Sequence, residues 1–322
     1  MKEIKITDIG NICIGQFENR EAGTGCTVFI SRDGMPAGLD VRGGGPASRE
    51  SELLKPTASA AAVHGIVLAG GSAFGLGAAD GVMKCLEEND IGYDVGICKV
   101  PLVCQSDIFD LTVARSDIRP DASYGYAAAK AALAGGNYKD GNFGAGCGAT
   151  VGKWNGMDTC MKSGIGSYAV QTGDLKIGAV VALNALGDIY NRKTGEKIAG
   201  LLSSDKKEFL DTVQLMAEKT AVKENKFTSN TSIGIVITNA AFDKTRLCKI
   251  ASMAHNGYAA SIRPVHTTAD GDSIYAVSTG SVAADLDVVG TLAADVMSGA
   301  ILRAAMSCDS AYGFVAAKDF LK

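Results

Sequence analysis

The sequence is poor in the residues from which most metal and redox sites are built. It has three histidines (His64, His255 and His266) and one tryptophan, Trp154. None of its nine cysteines forms a C-x-x-C pair, which excludes a zinc ribbon and a thioredoxin-type dithiol. An odd number of cysteines scattered through apolar segments reads as reduced, buried thiols. Neither sign of charge dominates. The 31 basic and 35 acidic residues give −4, so the chain lacks the basic footprint of a nucleic-acid binder. The opening MKEIKITDIG has no apolar run behind its lysines, and no uninterrupted 18-residue apolar stretch follows. Neither a secretory signal nor a membrane span is expected, and the simplest location is the cytoplasm. No Pro/Ser-rich linker or fixed-period repeat divides the 322 residues, so a single domain, 1–322, is expected.

Glycine, by contrast, is in excess: 40 of 322 residues, where about 7% is usual. That implies tight turns and close backbone approaches rather than a plain helical bundle. Residues 26–31 (CTVFIS), 36–43, 64–69 (HGIVLA), 175–186, 232–238 (SIGIVIT) and 273–278 (SIYAVS) read as strands. Helical patterns cover 74–89, 123–134, 205–222, 243–259 and 283–305, the third opened by a capping box from Asp205 to Glu208. Interleaved strands and helices fit an α+β class and exclude all-α and all-β. The polar stretch 223–230 (KENKFTSN) is the best candidate for an exposed, cleavable loop.

Thr231 ends that polar stretch and begins a buried strand. Read by itself it is a Ser/Thr/Asn turn entering a strand. The functional alternative requires the Asn230–Thr231 bond to break. The freed threonine would then hold nucleophile and base in one residue, which needs no histidine. A second feature is Arg263-Pro-Val-His-Thr-Thr-Ala-Asp270-Gly-Asp272. Its two carboxylates read as a solvated Asp-Gly turn or as acid/base groups, and are too few for a metal site. Gly-rich loops at 42–46, 70–75 and 144–153 match neither G-x-G-x-x-G nor the phosphate-loop pattern; backbone donors to an oxyanion are the other use. Cys147, between glycines and without a Cys/His signature, reads as a small buried residue. Asn184, late in an apolar strand, is a structural amide or a donor to developing negative charge.

Together these segments resemble the DmpA-type L-aminopeptidase/D-esterase and β-aminopeptidase family of self-cleaving peptidases. The matching pieces are GLDVRGGGPASRE (38–50), VLAGGSAFGLGAADGV (67–82), VPLVCQSDIFDL (100–111), GAGCGATVGKW (144–154), VVALNALGD (180–188), NTSIGIVITNA (230–240) and RPVHTTADGDSIYAVSTG (263–280). They run in the family's order across nearly the whole chain.

The resemblance implies a four-layer αββα sandwich, shared with ornithine acetyltransferases. It also implies self-cleavage between Asn230 and Thr231 into an α chain, 1–230, and a β chain, 231–322. Thr231 would carry an acyl-enzyme, with Asn184 stabilising the oxyanion and Asp270 and Asp272 beside the nucleophile. Gly71, Ser72 and Phe109 would line the substrate pocket. The implied reaction removes the N-terminal residue of a short peptide or amide, with neither metal nor cofactor, in a homo-oligomer of four or more chains. Two departures stand out. Asp270-x-Asp272 replaces a Ser-x-Glu pair, and Phe109 stands where members carry a tyrosine donor. An acyl transferase on the same fold, and an uncut relative that binds a small ligand without catalysis, are the alternative readings.

Overall fold

The two largest sheets stack face to face, with helices covering both outer faces. The computed structural model describes residues 1–219 and 230–322. One sheet runs, edge to edge, Lys2–Ile4, Ile165–Thr172, Leu175–Ala182, Ile233–Ala240, Ser273–Val282 and Ala37–Val41. The other runs Cys13–Asn19, Thr24–Met35, Val63–Ala69, Val103–Asp107 and Ala47–Arg49. Helices α1 (Ala78–Glu88) and α2 (Ala122–Leu133) cover the five-stranded sheet. After the short α3 (Thr212–Glu218), α4 (Lys244–Ser261) and α5 (Leu286–Ser307) cover the six-stranded one. The layer order is αββα, as the resemblance implies.

Alternation along the strands builds three cores. In Ile233–Ala240, residues Ile233, Ile235 and Ile237 point between the sheets while Val236 faces the helices. In Thr24–Met35, Phe29 points between the sheets, and Cys26, Val28 and Ile30 face α1 and α2. Both faces of these strands are covered, which is why they read as continuous apolar runs. The helices α1 and α2 meet backbone to backbone: a Cβ on Gly81 would fall 1.7 Å from the Ala122 carbonyl oxygen. By length and composition α5 could cross a bilayer, but its stripe Val289, Ala293, Val296 and Ala300 is buried in the core it shares with α4 and the sheet.

One expected helix is shorter than its pattern. Asp205 does not cap it. Its carboxylate accepts from Ser203 Oγ and from the Lys207 N–H, closing a local turn, and Leu202 bridges Phe209. The cap is Asp211, which accepts the Gln214 N–H at 2.9 Å and opens α3. Residues 220–222 of that expected helix, and 223–229 of the expected cleavable loop, lie outside the described residues.

Among the described residues one pair in each sheet is parallel. Ile233–Ala240 joins Ser273–Val282 through α4, and Val63–Ala69 joins Val103–Asp107 through α1. Parallel partners begin at the same end of a sheet. The residues just before Ile233 and Ser273 therefore meet where the antiparallel strand Leu175–Ala182 finishes. That geometry gathers Thr231, Asp270, Asp272 and Asn184 at one end of the sandwich.

Candidate active site

Thr231 is buried at the entrance to its strand. Its amide N–H donates to the Asn184 carbonyl at 2.9 Å. Its hydroxyl donates to the carbonyl of the preceding residue, Asn230. The same Asn230 oxygen accepts the Gly271 N–H at 3.2 Å. A Cβ on Gly271 would fall 2.7 Å from Thr231 Oγ1, so the missing side chain lets this turn approach the hydroxyl.

The two carboxylates flanking Gly271 are buried and hydrogen-bonded. Asp272 Oδ1 accepts the Ser232 N–H at 2.8 Å, and Oδ2 accepts the His266 N–H at 3.1 Å and lies 2.9 Å from His266 Nδ1. Asp270 Oδ2 accepts from Thr267, at 2.9 Å from its N–H and 2.6 Å from its hydroxyl. Burial, then the charge of Asp272, pushes Asp270 up to about 6 against the pull of the Thr267 bonds and Lys153. This is no solvated turn.

The Gly-rich loop at 42–45 wraps it from outside. Arg42 and Gly43 donate their N–H groups to the Asp272 carbonyl, Gly44 to Thr267 and Gly45 to Asp270, at 2.8–3.2 Å. These glycines supply backbone donors to protein carbonyls rather than to a phosphate.

Asn184 is fully buried and its amide orientation is determined by its neighbours. Oδ1 accepts from Lys153 Nζ at 2.8 Å and from the Thr150 N–H at 3.1 Å, while Nδ2 donates to the Phe109 carbonyl at 3.0 Å. Lys153 Nζ also reaches the Asn184 carbonyl at 3.0 Å. Complete burial brings this ammonium down to about 7, although Cys160, Asp270, Asp110 and Asp272 favour its charge. In the sequence Lys153 is only the end of a Gly-rich segment that fails the phosphate-loop pattern. Its signal was a lone cation in an otherwise apolar, Gly-rich segment. Thr150 and His266 likewise lie inside the segments 144–154 and 263–280, with no local signal of their own.

Phe109 enters the site through its main-chain carbonyl and is half-buried. Gly71 and Ser72 pack beside the strand end that carries it. Both have left-handed φ, 84° and 54°, and they donate N–H groups to Asp110 Oδ1 at 2.7 Å and the Ile108 carbonyl at 3.0 Å. Cys147 lies against the Tyr312 hydroxyl at 3.4 Å, and burial pushes its thiol up. Among the described residues no group of three His, Cys, Asp or Glu side chains is placed to hold a metal.

The family model of peptidase family S58 matches residues 5–317. The chain belongs to peptidase family S58. An uncharacterised aminopeptidase of Mycobacterium leprae is 35% identical over 96% of this chain and 91% of its own. A 6-aminohexanoate-oligomer endohydrolase of Agromyces is 29% identical, covering 94% of this chain and 86% of its own. Among solved structures, a Burkholderia β-aminopeptidase superposes with a TM-score of 0.66 at 18% identity, covering 98% of this chain and 92% of its own. The L-aminopeptidase D-Ala-esterase/amidase of Ochrobactrum anthropi, described as a variant of the Ntn-hydrolase fold, gives 0.65 at 16% identity, covering 94% and 86%. The S58 chain thus has the sandwich of those enzymes and sits in a family of peptidases.

Proposed function

We propose that this S58 chain is an aminopeptidase or amidase that cuts itself between Asn230 and Thr231 and then uses Thr231 as nucleophile. The observation that carries the reading is the Thr231 hydroxyl lying on the Asn230 carbonyl, whose oxygen also accepts the Gly271 N–H. In maturation Oγ1 adds to the Asn230 carbonyl carbon while the hydroxyl proton passes to the departing Thr231 nitrogen, so an amide becomes an ester. The Gly271 N–H stabilises the charge developing on the oxygen. Water hydrolyses the ester, leaving a carboxylate on Asn230 and a free α-amine on Thr231.

In turnover that α-amine takes the hydroxyl proton as Oγ1 attacks the substrate amide. The proton goes on to the leaving amine, and water then releases the acyl group from Thr231. An unperturbed α-amine titrates at about 7.7–8.0. Lys153 Nζ shares the Asn184 oxygen with the Thr231 nitrogen, and its charged form, held below about 7, favours the neutral amine that a base must be. Asn184 Nδ2 and the Gly271 N–H are the oxyanion donors in this reading. Asp270 and Asp272 hold the turn that carries Gly271. Gly71, Ser72 and Phe109 border the substrate.

The substrate class is short peptides and amides with a free amino end. Similarity to 6-aminohexanoate-oligomer endohydrolases extends it to linear ω-amino amides. Intact mass and N-terminal sequencing test the reading. The parent chain is expected as 1–230 and 231–322, the latter starting Thr-Ser-Ile-Gly. The Thr231→Ala chain is expected uncut and without amidase activity. Normal turnover by the Thr231→Ala chain would falsify the assignment.

A further inference from the structure

We propose that His266 is a positioning residue, whose imidazole donates Nδ1–H to Asp272 and holds that carboxylate against the backbone that begins the Thr231 strand. The inference rests on the reading of Thr231 as nucleophile.

Asp272 bridges two segments. Oδ1 takes the N–H of Ser232, the residue after Thr231, and Oδ2 takes both the backbone N–H and the ring of His266. His266 thus grips one oxygen with two donors, and the other oxygen is left for the strand. To do so its backbone sits at φ 58°, a left-handed conformation uncommon for a residue with a side chain.

The ring's own surroundings set its tautomer. Nε2 is buried and bonds no protein atom among the described residues, whereas Nδ1 faces a carboxylate oxygen at 2.9 Å. The proton therefore belongs on Nδ1. The ring packs against His255 and Tyr258, with centroids 4.7 and 6.0 Å away, and a flip about Cβ–Cγ would set Cδ2, which is no donor, against Asp272. His255 is itself tied to the Asp40 carbonyl at 3.0 Å, and burial holds it down at about 4, so it stays neutral beside His266.

The titratable groups around the pair are then His255 and Tyr258 from α4, Asp270 on the same turn, and Lys153, whose charge Asp272 favours. The glycine loop at 42–45 clamps the turn's carbonyls and His266 clamps its carboxylate. The turn that brings Gly271 to the Asn230 oxygen is fixed at both its backbone and its side chain.

The test compares His266→Asn with His266→Gly. Both residues accept a left-handed backbone. Asparagine places an amide nitrogen near the Nδ1 position, and glycine has no donor. The asparagine variant is expected to mature and turn over within a few-fold of the parent. The glycine variant is expected to lose roughly 10²-fold in kcat with KM little changed, as for a misaligned reacting group.

In an Asp272→Asn background, His266→Gly should cost nothing further. Where the glycine chain does not fold, His266→Gln, which keeps the bulk but displaces the donor, takes its place. A glycine variant matching the parent in kcat overturns the proposal. So does an asparagine variant no better than glycine when both melt like the parent. If Thr231→Ala abolishes activity and the His266 variants are indifferent, this proposal alone fails; if Thr231→Ala is active, the reading beneath it fails.

Discussion

Lys153 and Thr231 share an acceptor. The main-chain carbonyl oxygen of Asn184 takes Lys153 Nζ at 3.0 Å and the Thr231 N–H at 2.9 Å. Once the proposed cleavage frees Thr231, its α-amine inherits Lys153 Nζ as neighbour, a cation below about pH 7.

Lys153→Met tests what that neighbour does. Without the cation the α-amine holds its proton to higher pH, so the acid limb of kcat is expected to move up, with a rate loss of about 10²-fold below neutrality. The same substitution changes stability with a defined sign. In the native chain Lys153 gives up its proton near 7, against 10.5 for an unperturbed lysine. Between those values the unfolded chain binds more protons, so the lysine's contribution becomes more favourable as pH rises from 7 towards 10.5. Denaturant titrations of uncut Thr231→Ala protein, with and without Lys153→Met, are expected to diverge in favour of the lysine chain by roughly 1.4 kcal/mol per pH unit in mid-window. A flat difference from pH 7 to 10 would show that Lys153 is not held down by burial.

Asn184 is both acceptor and donor, and two variants separate those roles. Asn184→Asp keeps an oxygen for Lys153 and Thr150 but loses the Nδ2 donor. Asn184→Ala loses both and leaves Lys153 buried with fewer partners. The aspartate chain, which turns a carboxylate oxygen on the Phe109 carbonyl, is expected to lose about 1–3 kcal/mol of stability and, in the folded protein, about 10²–10³ in kcat, the usual loss for an oxyanion donor. The alanine chain is expected to lose activity and melt earlier. Near-parental kcat in the aspartate chain removes Asn184 from the proposed oxyanion site.

The parts of this arrangement that can be read from sequence are those where local pattern and tertiary burial agree. Residues 232–238 and 273–278 read as strands because both faces are covered, so their apolar runs are unbroken. Thr231, Asn184, Asp270 and Asp272 stand out by their place at strand ends, and the fold brings them together. Lys153 does not, since nothing local shows that a lysine is completely buried. His266 lies inside the segment 263–280, but its proposed role depends on contacts with His255 and Tyr258 on a helix that precedes it. The shortened α3 fails for the opposite reason. Asp205 satisfies a capping pattern yet spends its carboxylate on a turn, the competition that Asp side chains set up at helix starts.

Two glycines of the 42–45 loop carry the last expectation. Both donate an N–H to the acidic turn, Gly43 to Asp272 and Gly45 to Asp270. Their surroundings differ. A Cβ on Gly43 would fall 2.3 Å from the Asp272 nitrogen and 2.4 Å from the Asp270 oxygen, both backbone atoms that must move to make room. A Cβ on Gly45 would have nothing nearer than the Asp270 oxygen at 3.7 Å, an ordinary contact. Gly43→Ala is therefore expected to lose about 1–3 kcal/mol of stability, as overpacking does, and to displace the turn that brings Gly271 to the Asn230 oxygen. Self-cleavage, followed as the loss of the full-length band, should slow with it. Gly45→Ala should mature and melt like the parent. Equal behaviour of the two variants would mean that the loop covers the turn without setting its position.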